Sequence, residues 1–341
     1  MMTGDFNQIG VITKNEIIKS VRGKKFLVSV IIVVVVFALV TGLQFIIKTW
    51  DKVNNMGMLA DVYLDTLPLV IALVVALLSS IALVSEFEER TALILFTRPV
   101  RRTSILVGKI ISCIIIEAAI ILIYYILVVI IGLIKVDGLS MSIITSYGFA
   151  VLYAFAISGV AFIISAFLKK GSVCTIISLL VLLLVVPITS TMMGSDGGEN
   201  WYMVDQAGDT VYTCIPEYVD HYNEFSRDFA KVVNDAITIL SGFTSEDMQR
   251  SVMTIAEFMQ TEDYQQLDPE VRASVEYIMH YLGQDYTKDL AGMIAVLKAM
   301  ASSSMVAPLD NPDLTKEAIV LIAWGVVCYF IAWIKFVRRE F

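Results

Sequence analysis

The sequence predicts an all-α polytopic membrane protein: six transmembrane helices, with a mainly helical extracellular domain inserted between helices 5 and 6. Three observations carry that prediction. Hydrophobic residues make up 57% of the chain and charged residues 17%, with a mean hydropathy of +0.76, well outside the range of soluble globular domains. Six apolar runs are long enough to cross a bilayer core of roughly 30 Å, which takes about 17 to 25 residues at helical rise. Between the fifth and sixth runs the composition turns polar for about 120 residues while keeping helical periodicity.

Taken in order, residues 1–25 are polar and basic, which argues against a cleaved signal peptide and for a first span kept as an anchor. Ile12, Glu16, Ile17, Lys19 and Arg22 suggest a short amphipathic helix along the cytoplasmic surface; the alternative is a disordered basic tail. The spans fall near Phe26 to Ile47, Leu64 to Val84, Ile110 to Ile134, Ile143 to Leu168, Ser172 to Met192 and Ala318 to Phe336. Domain boundaries follow as 1–25, 26–192 with a charged link at 85–109, 193–315 and 316–341. Pro68 sits in the first turn of its span, where a missing N–H costs little, whereas Pro187 lies inside the fifth and predicts a kink or early unwinding. The fourth span carries Ser146, Tyr147, Gly148, Tyr153, Ser158 and Gly159, so it is expected to face other helices more than lipid.

Orientation comes from flanking cations. The N-terminal segment, the 86–109 link, Lys169-Lys170 and the tail together hold 15 Lys or Arg, against Lys48, Lys52 and Lys135 in the two short loops opposite. Both termini are therefore expected in the cytoplasm of a bacterial cell, with the chain in the plasma membrane.

The 193–315 insert carries 21 acidic and 6 basic side chains. An acidic outer domain can receive cationic peptides or divalent cations, or simply keep an exposed domain soluble. It opens on a glycine-rich linker, Gly194 to Gly198. Helical patterns follow: Phe225, Phe229, Val232, Val233, Ile237, Leu240; Met248, Val252, Ile255, Met259; Val271, Val275, Ile278, Leu282; Leu290, Ile294, Leu297. Asp268, Pro269 and Glu270 read as a helix start and Gly283 as a stop. Trp201 to Ile215, with Tyr202, Val204, Val211 and Tyr212, reads as the one strand-rich stretch.

Little points to catalysis. Gly108-Lys109 and Gly23-Lys24 follow no glycine at P-loop spacing, so no nucleotide site of that kind is expected. His221 and His280 lack metal-ligand spacing, and Cys113, Cys174, Cys214 and Cys328 form no metal or disulfide pattern. Glu117 is an acid two turns into the third span, an intramembrane functional candidate or an interhelically bonded acid.

The most informative stretch is the link from Glu86 to Lys109. Ala92, Leu93, Leu95 and Phe96 form an apolar face among Glu86, Glu88, Glu89, Arg90, Arg98, Arg101 and Arg102, far more than a joining loop needs. It predicts an amphipathic helix ended or kinked before Pro99, then a basic turn. Such a helix lies on lipid or docks into a partner's groove.

At this link the chain resembles the membrane subunits of ABC-2 type transporters, through Glu86, Thr91, Leu93, Leu95, Arg98, Pro99, Val100, Arg102, Ile105, Gly108 and Lys109. Arg90 stands where glycine is usual and Arg101 where serine is usual. The resemblance extends to Glu16 with the basic segment up to Lys25, the six-span layout and the tail Arg338 to Phe341. It implies a coupling helix that seats in a cleft of a separate ATP-binding cassette subunit. The implied partner-binding residues are Glu86, Arg90, Thr91, Leu93, Leu95, Phe96, Arg98, Pro99, Arg101 and Arg102. ATP and magnesium would reside on that partner, leaving this chain without cofactor, metal or catalytic residue. A second permease copy or paralogue would complete a homo- or heterodimer. Membrane lipid is the other expected partner, and nucleic acid is not one. The implied function is export of a peptide, antibiotic or lipid-like substrate. The competing reading is a sensory or resistance module whose outer domain binds a peptide or cation and signals through a cytoplasmic partner.

Overall fold

The computed structural model describes residues 2–85, 102–136, 138–195, 200–246, 262–265, 272, 294, 297–298 and 308–338. Six helices are long and apolar enough to span a membrane: α2 (Lys24–Ile46), α3 (Met56–Ile81), α4 (Arg102–Lys135), α5 (Ser142–Phe167), α6 (Gly171–Met193) and α11 (Leu314–Val337). They are preceded by α1 (Met2–Arg22), helical rather than a disordered tail, and separated after α6 by α7 (Val204–Gly208), α8 (Thr210–Thr213), α9 (Pro216–Glu246) and α10 (Glu262–Gln265). No strand occurs among the described residues.

The second and third spans start earlier than hydropathy places them, at Met56 and Arg102. Hydropathy marks where a helix enters apolar surroundings, whereas the backbone ladder continues as long as its hydrogen bonds do. Within α3 a π turn at Ala60–Leu64 and a turn at residues 65–66 precede the regular helical stretch Leu67–Leu78, and Pro68 stands in the first turn of that stretch, where its missing N–H costs little. A second π turn, Val181–Val185, precedes Pro187 in α6. There the wide turn gives the Pro187 ring room where a regular helix would press it against an earlier carbonyl.

Burial sorts the spans. Two-thirds of the α5 window (67%) is buried inside the protein, against 17% for α2 and 22% for α6, so α5 is the central staff and α2 and α6 lie at the periphery. Close approach depends on glycine. A Cβ at Gly159 would lie 2.8 Å from the Cys328 Cβ, and one at Gly325 would lie 2.1 Å from the Phe155 ring, which lets α5 and α11 run against each other. Polar bonds then fix the register: Ser158 with Tyr329 at 2.5 Å, Tyr125 with Ser146 at 2.6 Å, and the Tyr124 hydroxyl donating to the Tyr63 carbonyl at 2.6 Å. Tyr147 and Gly148, also expected to face helices, are only partly buried and exposed respectively.

At one end of the bundle α2 stops in a Schellman arrangement. Thr49 N–H donates to Gln44 O (3.0 Å) and Lys48 N–H to Phe45 O (3.3 Å), with Lys48 at φ 60 where glycine is usual. Lys135, at the end of α4, lies 3.4 Å from Asp51 and over the Trp50 ring.

The stretch read as strand-rich is helical, which corrects that expectation. Val204, Gly208, Val211, Ile215 and Tyr218 are buried at alternating intervals of four and three residues, with Ala207 and Cys214 buried beside them, the helical period. Ala207 N–H bonds to Met203 O and Cys214 N–H to Thr210 O. The small residues Ala207 and Gly208 hide that period from a reading based on bulky apolar residues. Gly208 is small because the Tyr153 ring occupies the space a Cβ would need, 2.5 Å away. These helices pack on α5 and α11, and the Trp324 indole donates to Tyr202 O at 2.7 Å.

The chain divides into two compact units, residues 1–218 with 311–341, and Val219–Asp310. In the second, Asn223 and Leu309 exchange two hydrogen bonds at 3.0 and 2.7 Å. Ser226, Val233, Ala236, Tyr264, Ile294 and Leu297 are buried, whereas Phe225 is exposed. The patterns at 248–259 and 271–282, the Asp268 to Glu270 start and Gly283 lie outside the described residues.

Candidate functional site: the junction flanking the charged link

Residues 86–101 lie outside the described residues, and with them Glu86, Arg90, Thr91, Leu93, Leu95, Phe96, Arg98, Pro99 and Arg101. Arg102 and Glu117 are described, as are both chain segments from which the link departs.

On the upstream side, the chain just past the end of α3 is tied to α5. The Leu83 and Val84 N–H groups both donate to Ser165 Oγ, at 3.2 and 3.3 Å. A serine hydroxyl on the neighbouring helix thus accepts from two consecutive backbone N–H groups just past the end of α3. On the downstream side, Arg102 donates through Nη1 to Val337 O at 2.9 Å, satisfying a carbonyl at the C-terminus of α11 with a cation that also suits the helix dipole. Thr103 Oγ1 accepts from the Trp333 indole at 3.3 Å.

One turn further along α4, Gly108 and Lys109 form the seat of α1. A Cβ at Gly108 would lie 2.7 Å from Ile12 Cγ2, so only glycine lets the two helices approach this closely. Thr13 Oγ1 donates to Gly108 O at 3.3 Å, and Lys109 Nζ, 2% exposed as a residue, bonds Glu16 Oε1 at 3.0 Å. Val11, Ile18 and Val21, on the opposite face of α1, are exposed.

Beneath these ties lies a shared apolar core of Leu83, Leu106, Phe162, Ala166, Tyr329, Ala332 and Phe336. It joins the end of the second span to α4, α5 and α11. Deeper in the bundle, Glu117 is fully buried, and Ser79 Oγ donates to its Oε1 at 2.6 Å, a short bond to a carboxyl group. Its Oε2 accepts no hydrogen bond among the described residues. Glu117 thus bridges α3 and α4, the two helices on either side of the link.

Both flanks of the link are therefore built into packed helices rather than left as loose loop ends. The flanking residues are bonded to α5 through Ser165, to α11 through Arg102 and Thr103, and to α1 through Gly108 and Lys109. Sequence reasoning singled out Arg102, Gly108, Lys109, Glu16 and Glu117; the structure brings Glu16, Gly108 and Lys109 together where α1 meets α4, and places Arg102 against the end of α11 and Glu117 further along α4 against Ser79. It missed Ser79 and Ser165. Their signal was faint, since serines at the ends of apolar runs read as span boundaries.

Compared with known protein families, the chain matches the one described as ABC-2 family transporter protein over residues 11–340. Among curated proteins, nothing matches.

Proposed function

The chain belongs to the ABC-2 transporter family, and from that premise we propose that it is the permease subunit of an ATP-binding cassette exporter. ATP hydrolysis by a separate nucleotide-binding subunit is coupled to export of a peptide, antibiotic or lipid-like substrate. The family match over nearly the whole chain is the observation that carries this reading, and the anchored junction supports it mechanically. A permease must turn a push at its surface into helix movement, and a link whose two ends are bonded into different helices moves them as rigid bodies.

In this reading residues 86–101 form the coupling helix, with Leu95 and Phe96 as apolar docking contacts. Glu86, Arg90, Thr91, Leu93, Arg98, Pro99, Arg101 and Arg102 shape and pin it. Magnesium and ATP sit on the partner. A second permease copy or a paralogue completes the path, both termini face the cytoplasm across a plasma membrane, and the acidic 193–315 insert is the extracellular domain. Glu117, bonded across α3 and α4, holds the two flanking spans together.

The test is co-purification with the ATP-binding subunit, followed by ATPase and vesicle transport assays. Phe96→Asp is expected to abolish stimulation of the partner's ATPase while leaving membrane insertion normal. A fully active Phe96→Asp transporter would refute the assignment. Partner binding and signalling without vectorial transport in reconstituted vesicles would favour a sensory module instead.

A further inference from the structure

Glu117 is fully buried, about two turns of α4 beyond Lys109. Ser79 donates to its Oε1 at 2.6 Å, but Oε2 has no hydrogen-bond partner among the described residues, and no cation among them stands against it. A bare carboxylate oxygen in apolar surroundings, with neither donor nor counter-ion, costs far more than the neutral acid does. The geometry suits a carboxyl group that carries its own proton.

A cavity of about 320 Å³ supplies a route for that proton. It opens where α1, α2, the end of α3 and the start of α4 meet, and it reaches along α3 and α4 as far as Leu78, Cys113 and Ile116. Leu78 and Ile116 immediately precede Ser79 and Glu117 in the chain, and Cys113 stands one turn before Glu117. The Cys113 thiol interacts with both the Ser79 hydroxyl and the Glu117 carboxyl, so polar atoms continue from the cavity wall to the buried acid. At the other end of the cavity Glu16 and Lys109 bond each other at 3.0 Å beside Ser20 and Lys24. The space is polar enough there to hold water and large enough for several molecules, each needing at least about 10–15 Å³. Facing Glu117 from the remaining elements is the Tyr329 hydroxyl of α11, and the Lys109 and Glu16 pair lies beyond Cys113.

We propose that Glu117 is a proton-binding site served by this cavity. Its Oε2 gives its proton to a water entering past Cys113, leaving a carboxylate and a hydronium ion, and takes a proton back in the reverse step. The protonated acid keeps Ser79 of α3 bonded to α4. The ionised one needs water beside it, so proton release and the parting of these two helices favour each other.

Infrared spectroscopy of the full chain tests this without the ATP-binding subunit or a cargo, so its outcome and that of the exporter reading are separate. At neutral pH the parent should show the carbonyl stretch of a protonated carboxyl group that Glu117→Gln lacks, and the band should move to lower frequency in deuterium oxide. Cys113→Leu, which plugs the inner end of the cavity, should slow that movement by about tenfold, the change produced by raising a barrier by about 1.4 kcal/mol. Cys113→Ser, which keeps the passage open, should exchange as the parent does. Absence of the band in the parent would overturn the proposal by showing an ionised Glu117. A band that never shifts in deuterium oxide would overturn it too, as would equal exchange in the two Cys113 variants.

Discussion

At the scale of single residues, charge placement against burial carries the most testable consequences. Asp209, between α7 and α8, is partly buried, and burial raises its pKa to about 7, with Asp205, Asp65 and Glu317 adding repulsion and a hydrogen bond from Tyr212 opposing it. In an unfolded chain the same carboxyl titrates near 3.9. Between those values the folded protein holds a proton that the unfolded chain has released, so stability falls as pH rises from about 4 to about 7 and stays reduced above that. Allowing for the water that reaches this group, the cost at pH 8 is on the order of 2 kcal/mol. Asp209→Asn is expected to raise the unfolding temperature at pH 8 and to leave it nearly unchanged at pH 4.5. A variant no more stable than the parent at pH 8 would show that the carboxylate is accommodated. Asp209 was not legible beforehand, because its neighbours come from three separate stretches of chain. Glu117 was, because an acid inside an apolar run is conspicuous, but its Ser79 partner was not. Lys48 in a left-handed conformation was equally hidden, since the residue usual there is glycine.

Whole elements were read more successfully, and the reasons differ among them. The six spans were legible because apolar length is the dominant physical requirement for crossing a bilayer. The π turns ahead of Pro68 and Pro187 were half legible: a proline announces that the ladder must adjust, not how. Residues 201–215 were misread because Val and Tyr suggested a strand, while the small residues that complete the helical face did not register. For the charged link, residue pattern and family resemblance supply a reading that its position outside the described residues leaves to experiment. The amphipathic segment α1 was placed along the membrane surface, and what the structure adds is its seat on Gly108 and Lys109. That seat makes a prediction about the element as a unit. Gly108→Val places a branched side chain where Ile12 already stands, and overpacking of this kind costs about 1–3 kcal/mol. Hydrogen exchange across residues 7–20 should then accelerate while exchange in α5 is unchanged. Glu16→Gln, which removes the charged partner of a buried lysine, should accelerate the same segment. Unchanged protection of α1 in both variants would mean that its docking depends on other contacts.

For the molecule as a whole, the division at Val219 and Asn311 decides how stability is distributed. The first unit has its own means of cohesion: glycine-mediated contact of α5 with α11, the tyrosine and serine bonds between spans, and the apolar core beneath the junction. It also includes residues 200–218, whose helices pack on α5 and α11, so the polar insert does not separate from the bundle at the point where composition changes. Composition marks where water begins, whereas a compact unit ends where contacts do. The boundary for a deletion is therefore Tyr218 rather than Met193. Replacing residues 219–310 with about 20 Gly and Ser residues, a linker with an r.m.s. reach of roughly 25 Å, should leave the six spans folded. The truncated chain should elute as a single species in detergent and unfold within a few degrees of the full chain. A parallel deletion of 194–310 removes the buried Val204, Ala207, Val211 and Ile215 and the Trp324 bond to Tyr202. It should be markedly less stable, because several buried side chains lose their surroundings at about 1 kcal/mol or more each. If both deletions unfolded alike, the insert would have to be counted as one body with the spans. If both were harmless, residues 200–218 would contribute nothing to the bundle they lie against.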